Sequence, residues 1–480
     1  MSEEHKNNVE TPQPKATGRR HLIRNPWVRI PLKTLMWLVV AVLMIPVLLY
    51  IPPVQTLVKN VACRYIASST GMKVGIDRFR LRFPVKVELD GVYVLDTSAD
   101  TMVRASRLVA DVRLMPLLSL DVKINRLLLE SGYYRMVSPD SSMVLALDAR
   151  RLEVDDRSSF DIASGDISLN RADVYGGSLS LYMDVWRQKP TPTDTASTPF
   201  LIKANDLRLH DFSFAMSMLP TIDTLTLRAA DVALAKGVVD LRSGNIRASS
   251  MRVARGACSY IAPTPEYVAA HPVPVDSTSA SQPIRIAADS VSLDSFSVLY
   301  AIKGAKPLPG FDPSYISLSD VGIGMRNFFN EASTVKLPVT RLAAKERSGL
   351  VVTSARGNVD IDSTGITLDN LNVSTPYSSL TATAGIPFAL MEMKPEAPLA
   401  ASISGSLGIP DVEAFMPDVK PMTSSLPRRD PIALALEAGG TLSRASIRRL
   451  EVAGWSKYSV LSRVLLPEPD SPTMPSTSTG

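Results

Sequence analysis

Ala204-Asn-Asp-Leu-Arg-Leu-His-Asp-Phe-Ser-Phe214 aligns, residue for residue, with Ala288-Asp-Ser-Val-Ser-Leu-Asp-Ser-Phe-Ser-Val298. Each segment holds one unit: apolar-x-apolar, two polar residues, then apolar-x-apolar. In the first copy the apolar positions are Leu207, Leu209, Phe212 and Phe214, and in the second they are Val291, Leu293, Phe296 and Val298. Alternation with a period of two is strand spacing. The unit also starts at Val87, where it comprises Leu89, Val92 and Val94, and at Ile167, Ile246, Ile316, Ile366, Leu407 and Ala445. A looser copy begins at Leu127, where Gly132 replaces one apolar residue, so the starts at 87, 127, 167 and 207 are forty residues apart. Both long copies follow stretches rich in Pro, Thr and Ser, residues 188–199 and 262–283, which read as surface loops.

In this unit the second apolar pair lies an odd number of residues from the first. In a straight strand it would face the opposite side, so a bulge or tight corner at the polar pair is needed to keep one face apolar. Strand, corner and strand repeated along a chain predict an elongated, curled, repetitive β-sheet. A row of separate β-sandwiches is the alternative. No helical run of sandwich-flanking length recurs between the strands, which disfavours a parallel α/β enzyme fold. A lone sheet with one apolar face must cover it with a second sheet, by curling, or with an apolar ligand.

The chain has 480 residues, of which 45% are apolar, enough for a large core. Its net charge of +5 is concentrated at the N-terminus, where residues 1–33 hold seven Lys and Arg against three Glu. The remainder is balanced, with 45 basic and 44 acidic residues. Nucleic-acid affinity comes from clustered Lys and Arg, so no nucleic-acid partner is expected. Cys63 and Cys258 are the only cysteines and read as free thiols, which leaves no disulfide framework. His5, His21, His210 and His271 are scattered, without metal-ligand spacing, and no metal or cofactor is expected.

Residues 35–51, LMWLVVAVLMIPVLLYI, carry no charge. Seventeen helical residues rise roughly 26 Å, and extension over residues 30–54 covers a hydrocarbon core of about 30 Å. A transmembrane helix over residues 34–54 is expected, with Leu35, Trp37, Pro46, Tyr50 and Ile51 in or beside it. Trp27 and Tyr50 are placed as interfacial residues, and Pro46 kinks the helix without preventing insertion. A cleaved signal peptide is the competing reading. Against it, the apolar run is too long and no A-x-A site follows. The basic residues before the span orient the N-terminus to the cytoplasm, making residues 1–33 a cytoplasmic tail. Residues 55–72 then repeat apolar residues at helical spacing, with Gly71 as C-cap. That amphipathic helix is expected to cover the first strands, the alternative being a position on the membrane surface. The repetitive β-body is expected over residues 73–455 and a low-complexity tail over 456–480.

No GxSxG elbow, phosphate loop or dinucleotide fingerprint is present, and Gly454-Trp-Ser456 lacks the closing glycine of an elbow. Asp155-Asp156 and Asp360-x-Asp362 read as turn residues rather than acid pairs. No enzyme is expected. A glycan-binding repeat would need exposed aromatic platforms, and 6% aromatic residues offer little support.

The basic tail and anchor, VQTLVKNVACRYIASSTGMKVGIDRFRLRFPVKVELDGVYVLD (residues 54–96), the strand units and GSLGIPDVEAFMP (residues 405–417) together resemble the N-terminal part of the TamB family, the translocation-and-assembly-module branch of the AsmA-like envelope proteins. The resemblance covers roughly residues 30–455. It implies an inner-membrane protein reaching across the periplasm as a long curled sheet with an apolar groove. It further implies phospholipid movement to the outer membrane, or assembly of outer-membrane proteins with a TamA-like or BamA-like barrel as partner. Family members run longer and end in a characteristic C-terminal β-domain. Here the strand pattern stops near Val452 and PEPDSPTMPSTSTG follows, which reads as a shortened copy. Under this reading the twelve residues Val87, Leu89, Val92, Val94, Leu207, Leu209, Phe212, Phe214, Val291, Leu293, Phe296 and Val298 are the candidate groove lining.

Overall fold

A computed structural model describes Trp37 and residues 50–453, apart from 83–85, 97–98, 113–122, 139, 156, 162–164, 188–200, 241–242, 273–284, 392–395, 425–427, 429–430 and 442–445. The basic tail, Leu35, Pro46 and the tail after residue 453 lie outside the described residues, as do most of the two Pro, Thr and Ser-rich stretches. No helix among the described residues is long and apolar enough to cross a membrane.

The first complete element is helix α1 (Pro52–Thr70). It begins three residues before the helical pattern predicts because Pro52 and Pro53, at its first two positions, already have the helical φ. Gly71 ends it at φ 72°, with its N–H on the Ala67 carbonyl. Among the described residues nineteen strands follow: β1 (Lys73–Arg82), β2 (Lys86–Leu95), β3 (Thr101–Val112), β4 (Lys123–Val137), β5 (Met143–Val154), β6 (Ser159–Asp161), β7 (Asp166–Asp184), β8 (Leu201–Leu219), β9 (Ile222–Asp240), β10 (Asn245–Ala262), β11 (Arg285–Ile302), β12 (Tyr315–Glu331), β13 (Thr334–Glu346), β14 (Val351–Ile361), β15 (Gly365–Ser374), β16 (Ser379–Pro387), β17 (Pro398–Leu407), β18 (Ile432–Thr441) and β19 (Ser446–Ala453). All belong to one long curled sheet, not to a row of sandwiches. Each strand pairs with its neighbour in the chain, except that β5 pairs directly with β7 while the three-residue β6 bridges β4 and β7.

Pairing is antiparallel throughout, with two exceptions. β7 and β8 run parallel, and so do β10 and β11. A parallel neighbour forces the chain to return along the strand it has just completed. For the nineteen residues of β7 that return is about 60 Å at ~3.3 Å per residue. The Pro, Thr and Ser-rich stretches stand at these two crossovers, which is why they are long. The second contains the short helix α2 (Pro265–Ala270).

The corner demanded by the odd spacing is present as a left-handed residue inside the strand. The second residue of the polar pair has positive φ at Gly91, Ser131, Asp211, Ser295, Asp320 and Asn370. Asp, Asn, Ser and Gly tolerate that region best because their side chains are short or absent. In β7 and β10 the left-handed residues are Gly176 and Arg255. The working units there begin at Ala172 and Met251, not at Ile167 and Ile246. The unit at Leu407 is also corrected: β17 stops at Leu407, and Ile409 opens helix α3 (Ile409–Phe415). Pro410 at the start of the helix, with Gly408 as its N-cap, makes the switch.

Helix α3 ties down several turns at one end of the sheet. Asp411 accepts hydrogen bonds from Ser378 Oγ at 2.5 Å and from Thr375 Oγ1, and Gly408 N–H donates to Ser378 Oγ at 2.9 Å. Glu413 accepts from Thr423 Oγ1 at 2.7 Å and pairs with Arg428 at 3.3 Å. The Phe415 ring stacks on Phe311 with centroids 4.7 Å apart. Asp411→Ala strands two hydroxyls at a buried site, and a loss of about 1–3 kcal/mol in unfolding free energy is expected. Urea denaturation measures it, and an unchanged midpoint would refute the bond network.

Candidate functional site

Register across the sheet aligns the repeated units into rows. Val87, Leu207 and Val291 belong to one row, which also contains Leu81, Ala110, Leu127, Val154, Ala172, Leu234, Met251, Met325 and Val339. Leu89, Leu209 and Leu293 belong to the next. That row runs from Phe79 through Leu108, Leu129, Leu152, Val174, Val232, Val253, Ile323, Leu342, Ala355, Val373 and Leu380 to Leu434, with Gly405 as its one residue lacking an apolar side chain. Val92, Phe212 and Phe296 lie beyond the corner, and Val94, Phe214 and Val298 form a fourth row with Leu147, Leu179, Leu227, Cys258 and Leu318.

All four rows share one face. Phe296 clusters with Ala229, Val253, Val321 and Ala344, and packed against that cluster are Met251 from the first row, Val232, Leu293 and Ile323 from the second, and Leu227, Cys258, Val298 and Leu318 from the fourth. The left-handed corner therefore does what the spacing requires. It turns the second apolar pair back to the side of the first.

The opposite face is charged. Arg80 and Asp90 pair at 2.6 Å, Arg171 and Asp173 at 2.9 Å, and Arg208 and Asp206 at 3.0 Å. Glu88, 2% exposed, lies beneath Arg80, Arg82 and Arg107 at 3.8, 3.3 and 4.0 Å. His210, scattered in the sequence, stacks on Tyr175 at 4.8 Å with its Nδ1 3.3 Å from Asp231, which also pairs with Arg255. No group of three or more His, Cys, Asp or Glu among the described residues has metal-binding geometry. Asp155 accepts from Ser158, Asn170 and the Arg171 N–H, and Asp362 accepts from the Thr364 N–H and Oγ1 and the Gly365 N–H. Hydrogen bonds from Thr364 and Gly365 hold the Asp362 carboxyl below its ordinary pKa, as suits a turn residue.

The twelve candidates separate into two groups. Phe296 and Val291 are 1% and 7% exposed and form the floor of the face. The other ten are half-buried and present surface. Of the 19 buried apolar residues among the described ones, twelve are alanine. Small residues are hidden beneath their neighbours while most large ones remain accessible, as in a face covered by its own side chains and not by a second sheet.

Small residues in the third row were not anticipated. Ala105, Ala149 and Ala229 are buried there, and the rings of Phe212 and Phe296 lie across Gly177 and Gly256. A Cβ on Gly256 would stand 2.3 Å from the Phe296 ring and from the Arg228 carbonyl oxygen. Their sequence signal is weak, because a small residue opposite an aromatic one is visible only when the register is known. On the side of the corner residues Asp211, Arg255 and Ser295, with Ser213, Arg228 and Ala257, the sheet holds an open depression of about 570 Å³ that the apolar rows do not share. Cys258 occupies the fourth row, where burial pushes its thiol above the ordinary pKa and keeps it neutral.

Of the anchor residues, Trp37 and Ile51 are exposed and Tyr50 is half-buried at the start of α1. Chemically, the apolar rows offer contact area for hydrocarbon. No protein-family model matches the chain, and neither a curated protein nor a solved structure shows significant similarity to it.

Proposed function

We propose that this protein is anchored in the bacterial inner membrane with its body in the periplasm, and that its curled sheet forms an apolar β-groove for moving phospholipid between the inner and outer membranes. The observation that carries this reading is the second row, continuous across seventeen strands and half-buried along much of its length. At ~4.8 Å per strand it extends over about 75 Å. An acyl tail moved through water exposes methylenes at about 0.8 kcal/mol each, and a continuous apolar track lowers that cost while head groups stay wet at the open edge.

Photo-crosslinkers at Leu209 and Phe212 are expected to capture phospholipid in cells, whereas one at Arg208, next to Leu209 but on the charged face, is not. Equal capture at the three positions would remove the groove. For the topology, reporter fusions after residue 25 and after residue 100 are expected to report cytoplasm and periplasm respectively. A periplasmic signal from the first, or a mature chain beginning beyond residue 50, would reject the anchor.

The second reading is assistance to outer-membrane protein assembly with a BamA-like or TamA-like barrel. It is favoured by β19, which among the described residues has one neighbour, β18, and so offers an edge for strand addition. Depletion of particular barrels with lipid traffic unchanged would select it.

A further inference from the structure

Helix α1 has two sides with different partners. Gln55, 7% exposed, donates from Nε2 to the Leu81 carbonyl at 3.1 Å, and Lys59 donates from Nζ to the Asp77 carbonyl at 3.3 Å. Both acceptors belong to β1, which among the described residues pairs with β2 alone, so this side of the helix lies along its other edge. The amphipathic pattern predicts that the apolar side makes this contact, and the structure reverses it. Leu57, Val58, Val61 and Tyr65, at helical spacing on another side, are between 37% and 72% exposed.

We infer that this exposed stripe of α1 lies on the surface of the bilayer that residues 35–51 enter, and so docks the β1 end of the apolar face against the membrane. The inference rests on the anchor proposed above and adds the position of the sheet relative to it. Three observations commit the stripe to lipid. The apolar run ends at Ile51 and α1 begins at Pro52, so no spacer separates the helix from the membrane boundary. α1 has no acidic residue and carries Lys59 and Arg64, which suits an anionic lipid surface. Tyr65, the most exposed apolar residue of the stripe, has the apolar body and polar tip that favour an interface. In this arrangement Phe79 and Leu81, which head two of the apolar rows, are the first that a tail leaving the bilayer meets.

The test uses the full-length chain carrying Cys63→Ser and Cys258→Ser, reconstituted in vesicles of phosphatidylethanolamine and phosphatidylglycerol. Single cysteines are introduced as Val61→Cys or Tyr65→Cys on the stripe and Thr56→Cys or Asn60→Cys outside it. All four sites are exposed, so the fold tolerates them. With an environment-sensitive dye on each cysteine and lipid spin-labelled high on the acyl chain, quenching at 61 and 65 is expected to exceed that at 56 and 60 by about three-fold or more. Flotation of the vesicles reads the anchor in the same sample. Flotation with equal quenching at the four sites overturns the docking and leaves the anchor standing. A chain that does not float overturns both.

Discussion

Phe296→Ala is expected to lower unfolding free energy by about 3–5 kcal/mol. The ring is 1% exposed, lies across Gly256, and is enclosed by Ala229, Val253, Val321 and Ala344. Small neighbours cannot reach into the space the ring leaves, and the strands on either side are held by ladders of backbone hydrogen bonds. The cavity therefore persists, and its energetic cost adds to the lost transfer free energy. Because each strand contacts mainly its neighbours, unfolding is expected to be local, and amides of β10, β11 and β12 should exchange faster than those of β2 and β3. Denaturant titration with hydrogen exchange measures both effects. A loss below about 1 kcal/mol would mean that the ring is not enclosed.

The paired substitution Leu209→Asp with Phe212→Asp is expected to reduce phospholipid captured by the apolar face at least about ten-fold, since 1.4 kcal/mol is a factor of ten and a carboxylate facing hydrocarbon costs more than that. Both residues are half-buried, so water reaches the new carboxylates in the empty state, and the stability loss is smaller than at Phe296. A passing tail has to strip that water away. Arg208→Ala, on the charged face within the same strand, is the matched control and should leave capture unchanged. Lipid recovered with the purified variants, together with their circular dichroism, separates loss of the track from loss of the fold. Undiminished lipid in the paired variant would sink the transport reading.

Much of this molecule is legible in its sequence. Period-two alternation over units such as Leu207-x-Leu209 reports strands because successive side chains point to opposite faces. The odd spacing to Phe212 demands a corner, and Asp211, with φ 52°, is that corner. The exceptions are instructive. The units at Ile167 and Ile246 satisfy the pattern but not the register, because the pattern tests residue types and the register depends on which strand lies alongside. The unit at Leu407 satisfies it across a strand-to-helix boundary, where Gly408 and Pro410 outweigh the alternation.

By itself the sequence determined the strands, the need for corners, the balanced charge of the body and the apolar run before α1, because each is set by residues near one another in the chain. Tertiary structure alone decided that nineteen strands form one sheet, that Leu89, Leu209 and Leu293 lie in one row, that Phe296 is floor while Phe212 is surface, and that α1 meets β1 through Gln55 and Lys59. Those outcomes depend on pairing between residues tens to hundreds of positions apart. A local period specifies which face a side chain takes, but not which neighbour it will find there.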